Sequence, residues 1–156
     1  MNKIAVYAGS FDPITFGHQN IIAKAADAFD ILYVVVFDNP AKKHLFTLEE
    51  RKNLISKEHN IFVTSSTGSL AQFCRKHDVN YIVRGLRSVT DYEYEIQMAA
   101  INQDLVPTVD TVFFIPDAEY LHISSSMVKQ LYSIGEDVRK YVGSNVLEAL
   151  QKKMPR

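Results

Sequence analysis

Two hydrophobic periodicities alternate along this 156-residue chain. Short, nearly continuous apolar runs lie at Lys3–Ala8, Ile31–Phe37, Ile61–Thr64, Tyr81–Val83 and Thr111–Ile115. Runs without polar alternation are what strands covered on both faces show. Between them, apolar residues recur at helical spacing and predict helices over about residues 17–29, 48–58, 69–77 and 91–104. Thr47 with Glu50, Ser69 with Gln72 and Thr90 with Glu93 each match the capping box, in which residues three apart satisfy each other's free amides. Beyond Ser124 the pattern is helical, with breaks at Gly135 and Gly143. Strand–helix alternation of this kind predicts an α/β fold: a doubly wound, five-stranded parallel sheet with C-terminal helices. No repeat, low-complexity tract or composition shift divides the chain, so a single domain over residues 1–156 is expected.

In open parallel sheets, ligands sit beyond the carboxyl ends of the strands. The chemically capable residues cluster there. Ser10 and His18 follow the first run, Lys42 the second, Arg84 and Arg87 the fourth, and Ser124 to Ser126 the fifth. The segment Tyr7-Ala8-Gly9-Ser10-Phe11-Asp12-Pro13-Ile14-Thr15-Phe16-Gly17-His18 joins a strand to a helix through a Gly/Pro turn. That layout offers backbone amides and a helix N-terminus to a phosphate, with a histidine able to donate into the same space. The same residues also read as a tight turn with a surface histidine. Neither the G-x-x-x-x-G-K nor the G-x-G-x-x-G spacing is present.

Three serines open the helical pattern at Ile123-Ser124-Ser125-Ser126-Met127-Val128-Lys129. One is explained as an N-cap; the others could meet polyphosphate oxygens. Arg84 and Arg87 call for anionic partners, either a ligand or the acids Asp91, Glu93 and Glu95. The Lys42–Lys43 pair also reads as a solvated loop. Glu93 and Glu95 are two apart and face different sides of a helix. Leu70, Phe73, Cys74 and His77 form a buried stripe, which places Cys74 in the core. The five histidines show no metal-ligand spacing, and no G-x-S-x-G elbow is present.

Composition narrows the classes further. At 47% hydrophobic and 22% charged, with net charge −1, the chain is an ordinary globular one with no bulk attraction to nucleic acid. A single cysteine points to a reducing compartment. With no secretory signal pattern and no apolar run of spanning length, a cytoplasmic protein without a membrane partner is expected.

Thr15-Phe16-Gly17-His18 resembles the [T/H]-x-G-H signature of the nucleotidyltransferase superfamily, and Ile123 to Lys129 resembles its I-S-S-S-x-x-K signature. Gly9 to Thr15, Phe46-Thr47-Leu48-Glu49-Glu50-Arg51 and Arg84-Gly85-Leu86-Arg87 resemble the bacterial phosphopantetheine adenylyltransferase family, along the whole chain. Ala8 and Ser10 stand where that family commonly has Pro and Thr; serine keeps the hydroxyl. The resemblance implies a Rossmann-like fold and adenylyl transfer from ATP to 4′-phosphopantetheine, giving dephospho-CoA and pyrophosphate in coenzyme A biosynthesis. It also implies Mg²⁺ and a homohexamer. By position, His18 would stabilise the transition state, and Ser10, Lys42, Leu70 and Arg84 would bind phosphopantetheine. Contacts to ATP would come from Ser10, Phe11, His18, Gly85, Leu86, Arg87, Glu95, Tyr120, Leu121, His122, Ile123, Ser124, Ser125 and Ser126. Another small-molecule nucleotidyltransferase and a catalytically silent nucleotide-binding module are the competing readings. A tRNA-synthetase fragment would need a second domain and a basic face.

Overall fold

The computed structural model describes residues 1–156. Five strands, β1 (Ile4–Gly9), β2 (Ile31–Phe37), β3 (Ile61–Ser66), β4 (Tyr81–Gly85) and β5 (Asp110–Phe114), form one sheet in the order β3-β2-β1-β4-β5. Every pairing is parallel. The helices are α1 (Phe16–Ala28), α2 (Leu48–Asn53), α3 (Leu70–Lys76), α4 (Val89–Leu105), α5 (Ser125–Ser133) and α6 (Ser144–Lys153), with a single 3₁₀ turn at Ala118–Tyr120.

The unbroken apolar runs have the predicted cause. Along β1 and β2, alternate side chains enter two separate cores. Ala5, Tyr7, Val34 and Val36 meet Ile21, Ile22 and Ala25 of α1 and Val128, Val146 and Leu150 of the C-terminal helices. Val6 and Val35 meet Ala71, Phe73 and Cys74 of α3 on the opposite face. Cys74 is buried, as its place in the helical stripe predicts.

Caps fix where the helices start. Thr47 with Glu50 and Ser69 with Gln72 form the expected capping boxes. The third expected box does not form. Ser88, not Thr90, caps α4 by accepting from the Asp91 amide, and Thr90 lies within the helix. The stretch predicted as helical over 48–58 stops at Asn53, because the chain turns at Leu54 to bury Ile55 in the core. Gly135 ends α5 at φ +93°, a region glycine enters without strain. The amides of Glu136 and Gly135 return to the carbonyls of Leu131 and Tyr132, closing the helix in a Schellman motif. Gly143 is the N-cap of α6.

Sheet order reverses between β1 and β4, and the two strands part there. Their pairing ends at Tyr7 and Val83, whereas β1 stays paired with β2 as far as Gly9 and Val36. Arg84 belongs to β4 rather than following it, and its Nη1 donates to the Ala8 carbonyl (3.1 Å) just past the last β1–β4 pair. The crevice opens at that parting.

Arg51 of α2 anchors one wall of the crevice and is 1% exposed. It donates to the carbonyls of Phe46 (3.1 Å), Ser10 (2.9 Å) and Phe37 (3.2 Å), and to the Asp38 carboxylate (3.1 Å). One guanidinium therefore joins the ends of β1 and β2 to the loop between β2 and α2. Replacing it with an apolar residue orphans several carbonyls at once, each costing about 1–3 kcal/mol where water cannot reach it. Arg51→Leu is expected to lower unfolding free energy by roughly 3 kcal/mol or more. Urea-induced unfolding of the variant beside wild type measures this.

Candidate functional site

A cavity of about 700 Å³ lies over the carboxyl ends of β1 and β4. Its walls come from the Tyr7–His18 segment, the loop holding Lys42 to His44, Arg84 to Arg87, and the start of α5.

The segment from Gly9 to His18 owes its shape to three contacts. Phe11 adopts a left-handed backbone (φ +46°), and its buried ring packs edge-on against Tyr7 (5.3 Å) and His18 (5.1 Å). A Cβ on Gly9 would stand 3.1 Å from that ring, so only glycine fits without moving it. The Asp12 carboxylate accepts the amides of Leu45 and Phe46 (both 2.9 Å) and the Lys129 ammonium (2.9 Å). Burial works to raise the Asp12 pKa, but these donors outweigh it and hold the carboxyl below its ordinary range.

The third contact explains the histidine. Thr15 is the N-cap of α1, and His18 occupies the position where a capping box normally carries Glu or Gln. The Thr15 amide donates to His18 Nδ1 (3.0 Å). A backbone amide can only donate, so Nδ1 is an acceptor and the ring proton is on Nε2. Nε2 meets no protein acceptor and is not sealed from solvent, so it is free to donate within the cavity. Burial pushes the imidazole pKa down to about 4, with a further push from Arg87. His18 is a neutral donor at neutral pH.

Five cationic side chains and three carboxylates line the cavity. Arg84 forms a two-bond pair with Glu95 (both 2.7 Å), Arg87 pairs with Asp91 (3.3 Å), and Lys129 pairs with Asp12. Arg87 also donates to the Ile123 carbonyl (3.1 Å), tying β4 to the approach to α5. Lys42 and Lys43 make no ion pair and stand exposed. Of the three serines, Ser124 caps α5 through the Met127 amide, and the Ser125 hydroxyl donates to the Pro13 carbonyl (2.7 Å). Ser126 is exposed, and the first-turn amides of Ser125 and Ser126 have no intrahelical partner.

Ser10, Phe11, His18, Lys42, Arg84, Gly85, Arg87, Glu95 and Ile123 to Ser126 thus meet around one space. Leu86, Tyr120, Leu121 and His122 do not line it. Leu86 donates its amide to Phe114, and His122 packs edge-on to Tyr141 at the surface. Tyr120 and Ile123 still shape the site through their carbonyls, which lie 3.6 and 3.7 Å from a Cβ built on Gly17. Leu70 lines a second, mostly apolar groove of about 320 Å³ with Ala71, Met98, Ala99, Ile101 and Leu105. The Arg84–Glu95 pair lies in the wall of both cavities, which are therefore neighbours. Tyr7, Asp12, His44 and Lys129 are wall residues that sequence reasoning did not single out, although Tyr7, Asp12 and Lys129 lie within the two motifs. Asp91, foreseen as a partner for the arginines, pairs with Arg87 in that wall. No group of three or more His, Cys, Asp or Glu side chains could hold a metal ion.

The pattern of the cytidylyltransferase-like family matches residues 6–131. A phosphopantetheine adenylyltransferase from Petrotoga mobilis is 44% identical over 154 residues, which span 96% of this chain and 95% of that protein. One from Syntrophomonas wolfei is 44% identical over 97% of each chain. Among solved structures, nicotinic acid mononucleotide adenylyltransferase from Plasmodium falciparum, complexed with NaAD, superposes with a TM-score of 0.71 over 97% of this chain and 96% of that one. Its identity is 18%, so that likeness speaks for the shared fold. With its TxGH cap, its serine-rich helix start and this near-complete similarity, the chain belongs to the cytidylyltransferase-like family and, within it, to the phosphopantetheine adenylyltransferases.

Proposed function

We propose that this protein, as one domain over residues 1–156, transfers the adenylyl group of ATP to 4′-phosphopantetheine, releasing pyrophosphate and dephospho-CoA in coenzyme A biosynthesis. The observation that carries the reading is the adjoining pair of cavities. A cationic chamber and an apolar groove share the Arg84–Glu95 pair as a common wall, in a chain 44% identical to proteins of that name. A phosphate on a long, weakly polar arm fits that combination.

The acceptor's phosphate is the nucleophile. A phosphomonoester has a second pKa of about 6 and is already largely dianionic at neutral pH. No general base is required: the three carboxylates of the cavity are all paired, and His18 is a weak base. The barrier comes from bringing two anions together and from charge building on the transferred phosphoryl group. Positioning and electrostatics then carry catalysis. Lys42, one of the two unpaired cations, would aim the acceptor phosphate together with Ser10, while Leu70 would pack on the pantetheine arm. Arg84 keeps unbonded N–H groups beyond those given to Glu95 and Ala8, and these can meet the same phosphate. Arg87 and the N-terminus of α5 would hold the β- and γ-phosphates. His18 Nε2–H would donate to the α-phosphate as its charge grows.

Mg²⁺ would enter on the triphosphate and neutralise its oxygens, since the paired carboxylates leave no protein-built cage. Exposed apolar residues of α4 that do not line the groove, Val89, Tyr92 and Ile96, support a homohexamer in which copies of the chain cover this helix. A cytoplasmic location fits the buried, reduced Cys74, and no helix is long and apolar enough to cross a membrane.

Incubation with ATP, Mg²⁺ and 4′-phosphopantetheine should yield dephospho-CoA by mass spectrometry; product only with another acceptor would refute the assignment. His18→Ala is expected to lower kcat by about 10²–10³ with little change in KM for ATP. Lys42→Ala should raise KM for phosphopantetheine and leave ATP binding nearly intact, as calorimetric titration of each ligand would show. His18 also makes stability depend on pH. Its folded pKa lies below the unfolded value, so the unfolded state binds more protons between about pH 6.5 and about 4. The contribution of the neutral ring is full above that window and is lost as pH falls through it. The melting temperature of wild type should therefore drop more steeply across the window than that of His18→Gln.

A further inference from the structure

His44 follows Lys42 and Lys43 in the loop between β2 and α2 and lines the main cavity. Its side chain is 11% exposed, and its Nε2 is the one sealed side-chain polar atom without a hydrogen-bond partner. The ring stands between two carboxylates. Nδ1 lies 3.7 Å from Asp12 Oδ2 and Nε2 lies 3.7 Å from Asp38 Oδ1, both just beyond hydrogen-bond reach.

A neutral imidazole carries one N–H and one lone pair. With an anion at each nitrogen, either tautomer turns its lone pair toward a carboxylate. Only the doubly protonated ring suits both. Cations oppose that proton: Lys129 of α5 sits 2.9 Å from the same Asp12 oxygen, and Arg51 of α2 sits 3.1 Å from the same Asp38 oxygen. Lys42 and Lys43 of its own loop oppose it as well. Two anions and these four cations leave a balance that further negative charge shifts. A phosphate dianion arriving at Lys42 supplies such charge.

We propose that His44 is a positioning residue that, when doubly protonated, bridges Asp12 and Asp38 and draws the Lys42 loop onto the acceptor phosphate. The bridge joins the turn after β1 to the end of β2, across the base of that loop. The proton comes from solvent, so phosphate binding and proton uptake are linked, and each strengthens the other by the same factor. Acceptor affinity then falls wherever raising the pH removes that proton. This role rests on reading the cavity as the acceptor-phosphate site.

Steady-state kinetics of wild type and His44→Gln between about pH 6 and about pH 8 provide the first test. Titration of the acceptor's own phosphate affects both proteins and cancels in the ratio of their KM values. That ratio for phosphopantetheine should be near one at the alkaline end and rise to roughly fivefold or more at the acid end. The corresponding ratio for ATP should stay flat. A phosphopantetheine ratio that does not change with pH would overturn the proposal. Nitrogen NMR of labelled histidine in wild type, with inorganic phosphate as the probe, requires neither turnover nor a folded variant. Added phosphate should shift the His44 ring toward the doubly protonated form; a ring indifferent to phosphate at every pH also rejects the role. Because this readout needs no catalysis, failure of the bridge and failure of the proposed reaction are seen separately.

Discussion

The hydrogen bond from the Thr15 amide to His18 Nδ1 is the contact on which the site's chemistry depends. It belongs to the helix before it belongs to any reaction, since it satisfies an amide that the first turn of α1 would leave free. By occupying one ring nitrogen it fixes the tautomer, the ring orientation and the direction in which the remaining N–H can be given. Burial then keeps the ring uncharged. A structural cap thereby becomes a preorganised donor that needs no reorientation when charge develops. Phe11, held between Tyr7 and His18, braces the ring from the side, and Gly9 leaves room for Phe11.

A second constraint is electrostatic. A cavity built to receive two anions must be cationic, yet it must also hold together when empty. Three of its cations are fixed by carboxylates of the protein itself: Arg84 by Glu95, Arg87 by Asp91 and Lys129 by Asp12. These pairs stiffen the walls and lower the self-repulsion of the empty site. Arg84 and Glu95 do so at the parting of β1 and β4, where the sheet no longer supplies backbone partners. The unpaired charges, Lys42 and Lys43, ride on the loop that can move toward a ligand.

Asp12 and Arg51 connect these two parts. Asp12 accepts from the loop amides at positions 45 and 46 and from the ammonium of α5, while Arg51 donates to the carbonyls of three segments. Neither contacts the centre of the proposed reaction, but together they set where the Lys42 loop starts and how it is aimed.

The sequence by itself determined the strands, most of the helix starts and the edge of the sheet that carries the site. Those features follow from local patterns: unbroken apolar runs, caps three residues apart, and glycines at the ends of α5 and before α6. It also held the motif residues in place, because Thr15 and His18 interact across one helical turn. One exception is local: Ser88 rather than Thr90 caps α4, through the Asp91 amide three residues on. The others were decided by contacts between distant segments, and the burial of Ile55 shortens α2. Arg84 and Glu95, 11 residues apart, become a pair whose two oxygens and guanidinium are mutually engaged. Asp12 and Lys129 meet across 117 residues, and His44 comes to lie between Asp12 and Asp38. No local spacing encodes such encounters. They arise because the strand order reverses between β1 and β4 and brings the ends of several segments to one crevice, where each charge must find its counterpart.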